Sequence, residues 1–280
     1  MSNRNYNKVY TGGQSSELVS SVILPVVVFC ALMIVDYLYR ASTDKSLRFI
    51  TVLDYTANSA DGIVRIPQDP TKQGAAQLGV SVNERTGVEF AYSFFINVQE
   101  STFTGVDELR HVFHKGYSSP WPLMGPGVFI HGSTNTMRVV MNTNTEPYKY
   151  ADVTNIPVNK WFHVVLNCYG SGLDIYINGT LAHRISFSGG VIYQNFQDLI
   201  LFAAIPVTVN SGTTPAIRSE NPVIFSGSFN GQLSSIKYAR YALSLKEIQA
   251  VLSEGPSTNV KALSITGDTS YLSDTWWANQ

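Results

Sequence analysis

Between Val88 and Val98 an apolar side chain occupies every second position: Val88, Phe90, Tyr92, Phe94, Ile96 and Val98, with Glu89, Ser93, Asn97 and Gln99 on the other parity. A period of two matches successive side chains on opposite faces of a β-strand, whereas a helix would scatter the same residues around its circumference. The run therefore predicts a half-buried strand of an antiparallel sheet. Further strands are expected at Leu109–Lys115, Gly127–His131, Met137–Asn142, Trp161–Tyr169, Leu173–Asn178, Leu199–Ala203, Val223–Phe225 and Gly231–Arg240. Short strands at this regular spacing indicate a sandwich. Tyr169-Gly170-Ser171-Gly172 is expected to turn one strand into the next. Asn178-Gly179 and Asn230-Gly231 each offer the positive-φ pair that a two-residue hairpin needs. Ser244-Leu245-Lys246-Glu247 is a capping box, from which a short helix should run to about Leu252.

A second feature limits the N-terminal part. Leu18 to Val35 reads LVSSVILPVVVFCALMIV, with no charge. At about 1.5 Å per residue such a run approaches the roughly 30 Å hydrocarbon core of a bilayer. Tyr37, Tyr39 and Arg40 follow as an interfacial belt with a snorkelling cation. The run exceeds a signal-peptide core and has no A-x-A-like site after it, so a transmembrane helix is expected over residues 18–39. Arg4 and Lys8 on one side against Arg40, Lys45 and Arg48 on the other place the large domain on the cytoplasmic side of a single-pass arrangement.

The remaining divisions are a polar segment at 1–17, a stalk with one added strand, Phe49–Leu53, at 40–84, the sandwich at 85–254, and a tail at 255–280. Two long loops stand out, Ser118–Gly127 around Trp121 and Pro206–Pro222; loops of that length in compact domains are usually functional or held by a partner. Charged residues make up only 14% of the chain, and 19 Lys plus Arg balance 20 Asp plus Glu with no basic block, which removes nucleic acid as a partner. Cys30 and Cys168 are the two cysteines, one in the apolar run and one in a strand, so no disulfide is expected.

Phe90-Ala91-Tyr92-Ser93-Phe94-Phe95-Ile96, Lys160-Trp161-Phe162-His163-Val164-Val165, Leu173-Asp174-Ile175-Tyr176-Ile177-Asn178-Gly179, Phe229-Asn230-Gly231-Gln232-Leu233 and Leu243-Ser244-Leu245-Lys246-Glu247-Ile248 occur in this order. In that order they resemble the laminin-G-like, concanavalin A-like jelly rolls over roughly residues 85 to 254. The resemblance implies an all-β fold, an antiparallel two-sheet jelly-roll sandwich used for binding carbohydrate or protein, with hydrolases as one branch.

The residues themselves argue against catalysis. The glucanase pair of carboxylates in E-x-D-x-x-E is missing, and Asp107-Glu108, being adjacent, should point to opposite sides. No G-x-S-x-G, Walker or G-x-G-x-x-G pattern occurs. His111 and His114, three apart in a strand, should lie on opposite faces and not share a metal. His163 matches the family's W-x-H and reads as a framework residue. Many laminin-G-like domains bind calcium, but Asp107 and Asp152 align with no calcium motif, so no cofactor is assigned. Asn178-Gly179-Thr180 is a formal glycosylation sequon that the hairpin explains.

The combined expectation is a non-catalytic, membrane-anchored interaction module, with lipid and other structural proteins as partners. Its architecture looks like that of minor capsid proteins that link the membrane of large double-stranded DNA viruses to the shell. Trp121, Trp276 and Trp277 are the expected partner contacts, since buried aromatics dominate interfaces. The alternative is a cell-surface lectin or adhesion module that binds carbohydrate.

Overall fold

The computed structural model describes residues 23–39, 49–82, 87–170, 172–187, 190–213 and 222–259. Two units compose the chain, Met1–Arg48 and Phe49–Gln280.

In the first unit, residues 23–39 form helix α1. Its apolar side chains are exposed around the whole circumference, from Val28 at 50% to Leu24 at 67%. The expected 18–39 span is corrected here: residues 23–39 extend about 26 Å, and no helix among the described residues is long and apolar enough to cross a membrane. Tyr37 and Tyr39 lie exposed on its last turn. Residues 18–22, Arg40 and the flanking basic residues fall outside the described residues.

The second unit is a sandwich of two sheets. One sheet contains β1 (Phe49–Asn58), β14 (Gly231–Ala239), β3 (Phe90–Val98), β8 (Trp161–Tyr169), β9 (Gly172–Ile177) and β10 (Thr180–Ser186), in that spatial order. The other orders β12 (Val207–Val209), β13 (Val223–Ser228), β4 (Leu109–Gly116), β5 (Met124–His131), β6 (Thr136–Met141) and β7 (Lys149–Thr154). Beside the second half of β4 lies β11 (Leu199–Leu201), which also pairs with β2 (Val64–Ile66). All pairings are antiparallel except β13 with β4. Residues 49–82 are thus more than a stalk, because β1 closes one edge of the first sheet and β2 extends the second.

Between the sheets sits the main core. Phe90, Tyr92, Phe94, Ile96 and Val98 of β3 meet Val112, Phe113, Val128 and Ile130 of the facing sheet. Each such side chain contributes roughly 1.5–3 kcal/mol when fully buried. The opposite parity of β3 is buried too, which corrects the half-buried expectation: Ala91 and Ser93 are each 1% exposed. The cover is helix α2 (Leu245–Glu254), whose Ile248 packs with Ala91, Val165, Tyr176, Ala239 and Leu243. The capping box forms as expected, Ser244 Oγ accepting from the Glu247 N–H and the Glu247 carboxylate accepting from the Ser244 N–H.

Asn178 (φ 49°) and Gly179 (φ 77°) make the expected tight turn between β9 and β10. Asn230-Gly231 does not make a hairpin, because β13 and β14 lie in different sheets. Glycine is needed at 231 because a Cβ there would stand 2.1 Å from the Asn97 carbonyl oxygen. Four strands lie outside the expected set: β2, β7, β10, and β12 within the expected Pro206–Pro222 loop.

Candidate functional site

The outer face of the second sheet is the part of the sandwich with chemistry to offer. Leu109, Phe129, Val140, Tyr148, Val223 and Phe225 form a second apolar cluster there, apart from the main core. The rings of Phe129 and Phe225 are 4.9 Å apart and Trp121 meets Tyr148 edge-on at 6.3 Å. Trp121, expected to be a partner contact, is half-buried against this cluster.

Beside the cluster, β6 and β7 build a ledge. Arg138 and Asp152 are register partners. The guanidinium grips the carboxylate through Nε to Oδ1 and Nη2 to Oδ2, both 2.7 Å, and donates from Nη1 to the Tyr148 hydroxyl at 3.1 Å. The same guanidinium lies 3.9 Å over the Tyr150 ring, a cation–π contact. Burial alone would raise the Asp152 carboxyl, but the Arg138 hydrogen bonds and charge hold it well below the usual carboxylate range. His131 Nε2 stands 3.6 Å from Asp152 Oδ1, beyond hydrogen-bond reach. The Arg138 side chain is only 8% exposed while that of Asp152 is 32% exposed. The ledge therefore presents solvent with a half-buried tyrosine ring beside an ionised carboxylate whose remaining lone pairs accept hydrogen bonds.

Deeper on the same face, His111 and His114 overturn the sequence expectation. His111 pairs with Phe129 and Phe113 with Val128, so Val112 is an extra residue in β4. This bulge sends both Val112 and Phe113 into the core and returns His114 to the side of His111. The two rings hydrogen-bond, Nε2 of His111 to Nδ1 of His114, at 2.6 Å. Directions follow from the ends of the chain. The Ala203 N–H donates to His111 Nδ1 at 2.9 Å, so the His111 proton is on Nε2 and is donated to His114 Nδ1. His114 then donates from Nε2 to the Tyr117 carbonyl at 2.7 Å. Both rings are neutral in this arrangement. Burial lowers the His111 pKa well below its ordinary value, the neighbouring His114 adding to the effect, and burial lowers His114 to about 4 against the opposing Tyr117 hydrogen bond.

On the other sheet, Ser93 Oγ and His163 Nε2 are 2.8 Å apart. This resembles a nucleophile and base in distance only: both residues are buried at 1% and 0% exposure, and His163 Nδ1 has no hydrogen-bond partner to orient it. His163 serves the framework, its backbone N–H donating to Asn178 Oδ1 at 2.8 Å. Asp107 lies exposed in the turn before β4, and Glu108 pairs with Arg110. Each Asp152 oxygen accepts from one nitrogen of the Arg138 guanidinium, Oδ1 from Nε and Oδ2 from Nη2, which disfavours it as a calcium ligand. Among the described residues no group of three or more His, Cys, Asp or Glu converges to hold a metal ion. Cys168 is buried and Cys30 exposed, both as free thiols. Trp276 and Trp277 lie outside the described residues.

Sequence reading missed Arg138, Tyr148 and Tyr150. The signal for the two tyrosines was the alternation Tyr148, Tyr150, Asp152 leading into β7, in a stretch between Asn142 and Trp161 where no strand was expected; Arg138 lay within the expected strand Met137–Asn142.

No curated protein matches this sequence. Among solved structures, the botulinum neurotoxin serotype D ligand-binding domain in complex with N-acetylneuraminic acid is similar with a TM-score of 0.45 and 13% identity, covering 69% of this chain and 39% of that one. The receptor-binding domain of botulinum neurotoxin D gives a TM-score of 0.44 at 13% identity, over 74% of this chain and 43% of that one. The binding domain of botulinum neurotoxin DC in complex with SialylT gives 0.41 at 17% identity, over 61% of this chain and 37% of that one. The chain thus spans less than half the length of these three structures. A family model for the concanavalin A-like lectin/glucanases superfamily matches residues 70–249, which takes in the described strands from β3 to β14 and the first half of α2, and the chain belongs to that superfamily.

Proposed function

We propose that this protein is a non-catalytic carbohydrate-binding module whose binding surface is the β6–β7 ledge. The observation that carries the reading is the Tyr150 ring, backed by Arg138 at 3.9 Å, beside the one-third exposed Asp152 carboxylate. A sugar has an apolar C–H face and a hydroxyl edge. The ring meets the first and the carboxylate, an acceptor only, meets the second. Arg138 is a positioning residue, since its donors are turned to Asp152 and Tyr148. Membership of a superfamily of lectins and glucanases supports the same ligand class.

The full chain, purified in detergent and applied to a glycan array, is expected to retain a defined set of glycans. Asp152→Asn should weaken retention about tenfold or more, the size expected for loss of a hydrogen bond to a charged group, and Tyr150→Ala should weaken it by removing the apolar face on which the sugar rests. Unchanged retention by both variants overturns the ledge as the binding surface.

A membrane-tethered role is the second reading, and helix α1 favours it. A helix exposing Ile23, Leu24, Val27, Phe29, Leu32 and Val35 around its circumference finds its cover in lipid. In liposome flotation at high salt, the chain is expected to rise with the vesicles and a Val27→Asp, Leu32→Asp variant to remain at the bottom. The virion scaffold draws on this same helix, and no feature of the sandwich selects it over other tethered roles.

A further inference from the structure

The aromatic row that begins at Tyr150 continues past it. Tyr148 stands just before β7 on the parity of Tyr150 and Asp152. Its ring centre lies 5.3 Å from that of Tyr150 and 6.3 Å from that of Trp121. Tyr148 is fully buried, whereas Tyr150 and Trp121 are each half-buried. Two rings therefore reach solvent, and both rest on a third that does not.

Register places Trp121 at the end of this row remote from Asp152. Val140 pairs with Tyr150 and Met141 with Lys149, which brings Asn142 level with Tyr148. Asn142, 4% exposed, donates from Nδ2 to the Pro122 carbonyl at 2.9 Å and to the Pro147 carbonyl at 2.6 Å, and its Oδ1 accepts from the Met124 N–H. The segment after Trp121 is thereby stapled to the one before Tyr148. The segment before Trp121 is held as well, because the Tyr117 carbonyl accepts from His114 Nε2 and Ser118 Oγ accepts from Arg65, both at 2.7 Å. A ring fixed on both sides meets a ligand with little ordering cost. The four residue steps from Asp152 to Tyr148 cover about 13 Å of strand, a length that no single pyranose spans.

The chemistry of the ledge recurs at the far end. Glu146, half-buried, accepts from the Tyr148 N–H at 3.4 Å, so a carboxylate accompanies this end of the row as Asp152 accompanies the other. Carboxylates accept hydrogen bonds from hydroxyls. Arg138 and Arg65 each face a carboxylate already, Asp152 and Asp198, so the groups on offer suit hydroxyl donors rather than an acidic sugar.

We infer that the ledge is one end of an extended surface for a neutral oligosaccharide of at least three pyranose units, with Trp121 as a second stacking platform that sets the preferred chain length. The inference rests on the ledge as the sugar-binding surface and adds Trp121 and Glu146 to it. One unit lies on Tyr150 with its hydroxyls toward Asp152, the next crosses the covered Tyr148, and a third lies on Trp121.

The test is calorimetric titration of the full chain in detergent with ladders of one to five units of β1,4-linked glucose, galactose, mannose and N-acetylglucosamine, and with α2,8-linked sialic acid as the acidic ladder. At least one neutral ladder is expected to bind about fivefold or more tightly at three units than at one, the size of an added ring contact, and to gain little beyond. Trp121→Leu keeps apolar packing on Tyr148 and should lower the three-unit affinity to that of one unit, while Trp121→Phe should retain most of the gain. The inference is overturned if affinity is the same along every neutral ladder, if no neutral ladder binds, if the sialic acid ladder binds tightest, or if Trp121→Leu leaves the gain intact. A loss with Trp121→Leu that is equal at every length, the mark of a merely structural role, also overturns it. Failure of the extension is separable from failure of the ledge. Loss of binding in Asp152→Asn at every length beside a Trp121→Leu chain that binds like the parent strikes only the extension, whereas Asp152→Asn and Tyr150→Ala chains that bind like the parent strike the ledge itself.

Discussion

Acidification from pH 7 to pH 4 is expected to lower the urea midpoint of the sandwich steeply, with most of the loss between pH 6.5 and about 4. Three buried histidines set this window. His114 and His163 are each drawn down to about 4, and His111 lies well below its ordinary value. Burial is the leading cause in all three, with the Lys237 charge adding at His163. In the unfolded chain the same side chains take a proton near 6.5. A folded pKa below the unfolded one means that the unfolded state binds the proton first, so stability is full above pH 6.5 and falls as pH approaches the folded value. For a group moved from 6.5 to about 4 the loss is about 3 kcal/mol, a large share of a typical domain's 5–15 kcal/mol.

Geometry explains why protonation is refused. A proton on His111 Nδ1 would face the Ala203 N–H, and one on His114 Nδ1 would face the proton that His111 already donates. His111→Phe is expected to flatten part of the pH dependence while costing stability at neutral pH, because Ala203 N–H and His114 Nδ1 then lose their partner. A urea midpoint unchanged from pH 7 to 4 in the parent chain would show that these rings titrate normally.

The second large effect belongs to Arg138. Arg138→Ala should destabilise the sandwich by about 3 kcal/mol, the lower end of the range for removing one partner of a buried pair, because water reaches a third of Asp152. The substitution also strips the Tyr148 hydroxyl of a donor and the Tyr150 ring of its backing. Arg138→Met combined with Asp152→Leu should cost less than the sum of the single changes, since no charge is left stranded. Urea unfolding of the four proteins forms the cycle. Additive losses would mean that the pair is not coupled.

These two sites were hidden in the sequence for different reasons. Arg138 and Asp152 are 14 residues apart, and only the pairing of β6 with β7 makes them opposite neighbours. Strand β7 carries mixed polarity, Lys149 to Thr154, and exists because β6 offers a free edge. The same holds for β10, largely exposed and without alternation, which forms on β9 through the Asn178-Gly179 turn. For His111 and His114 the strand was legible but not its bulge, since the extra residue is counted against β5 and not against the chain itself.

The elements that could be read from residue order are those that short-range physics decides. The period of two wrote β3, the W-x-H run wrote β8 residue for residue, Ser244 and Glu247 started α2, and Asn178-Gly179 fixed a turn. Each depends on neighbours within a few positions, so each could be read locally. Tertiary structure alone decided which faces are buried, because α2 covers the outside of one sheet and the Phe129–Phe225 cluster fills the outside of the other. It also decided where Asn230-Gly231 leads, a crossing between sheets. And it turned Lys115, by position an ordinary strand residue, into a buried clamp on the carbonyls of Asn195 and Gln197. Register, bulges and long-range pairing depend on partners far along the chain, and no local pattern encodes them.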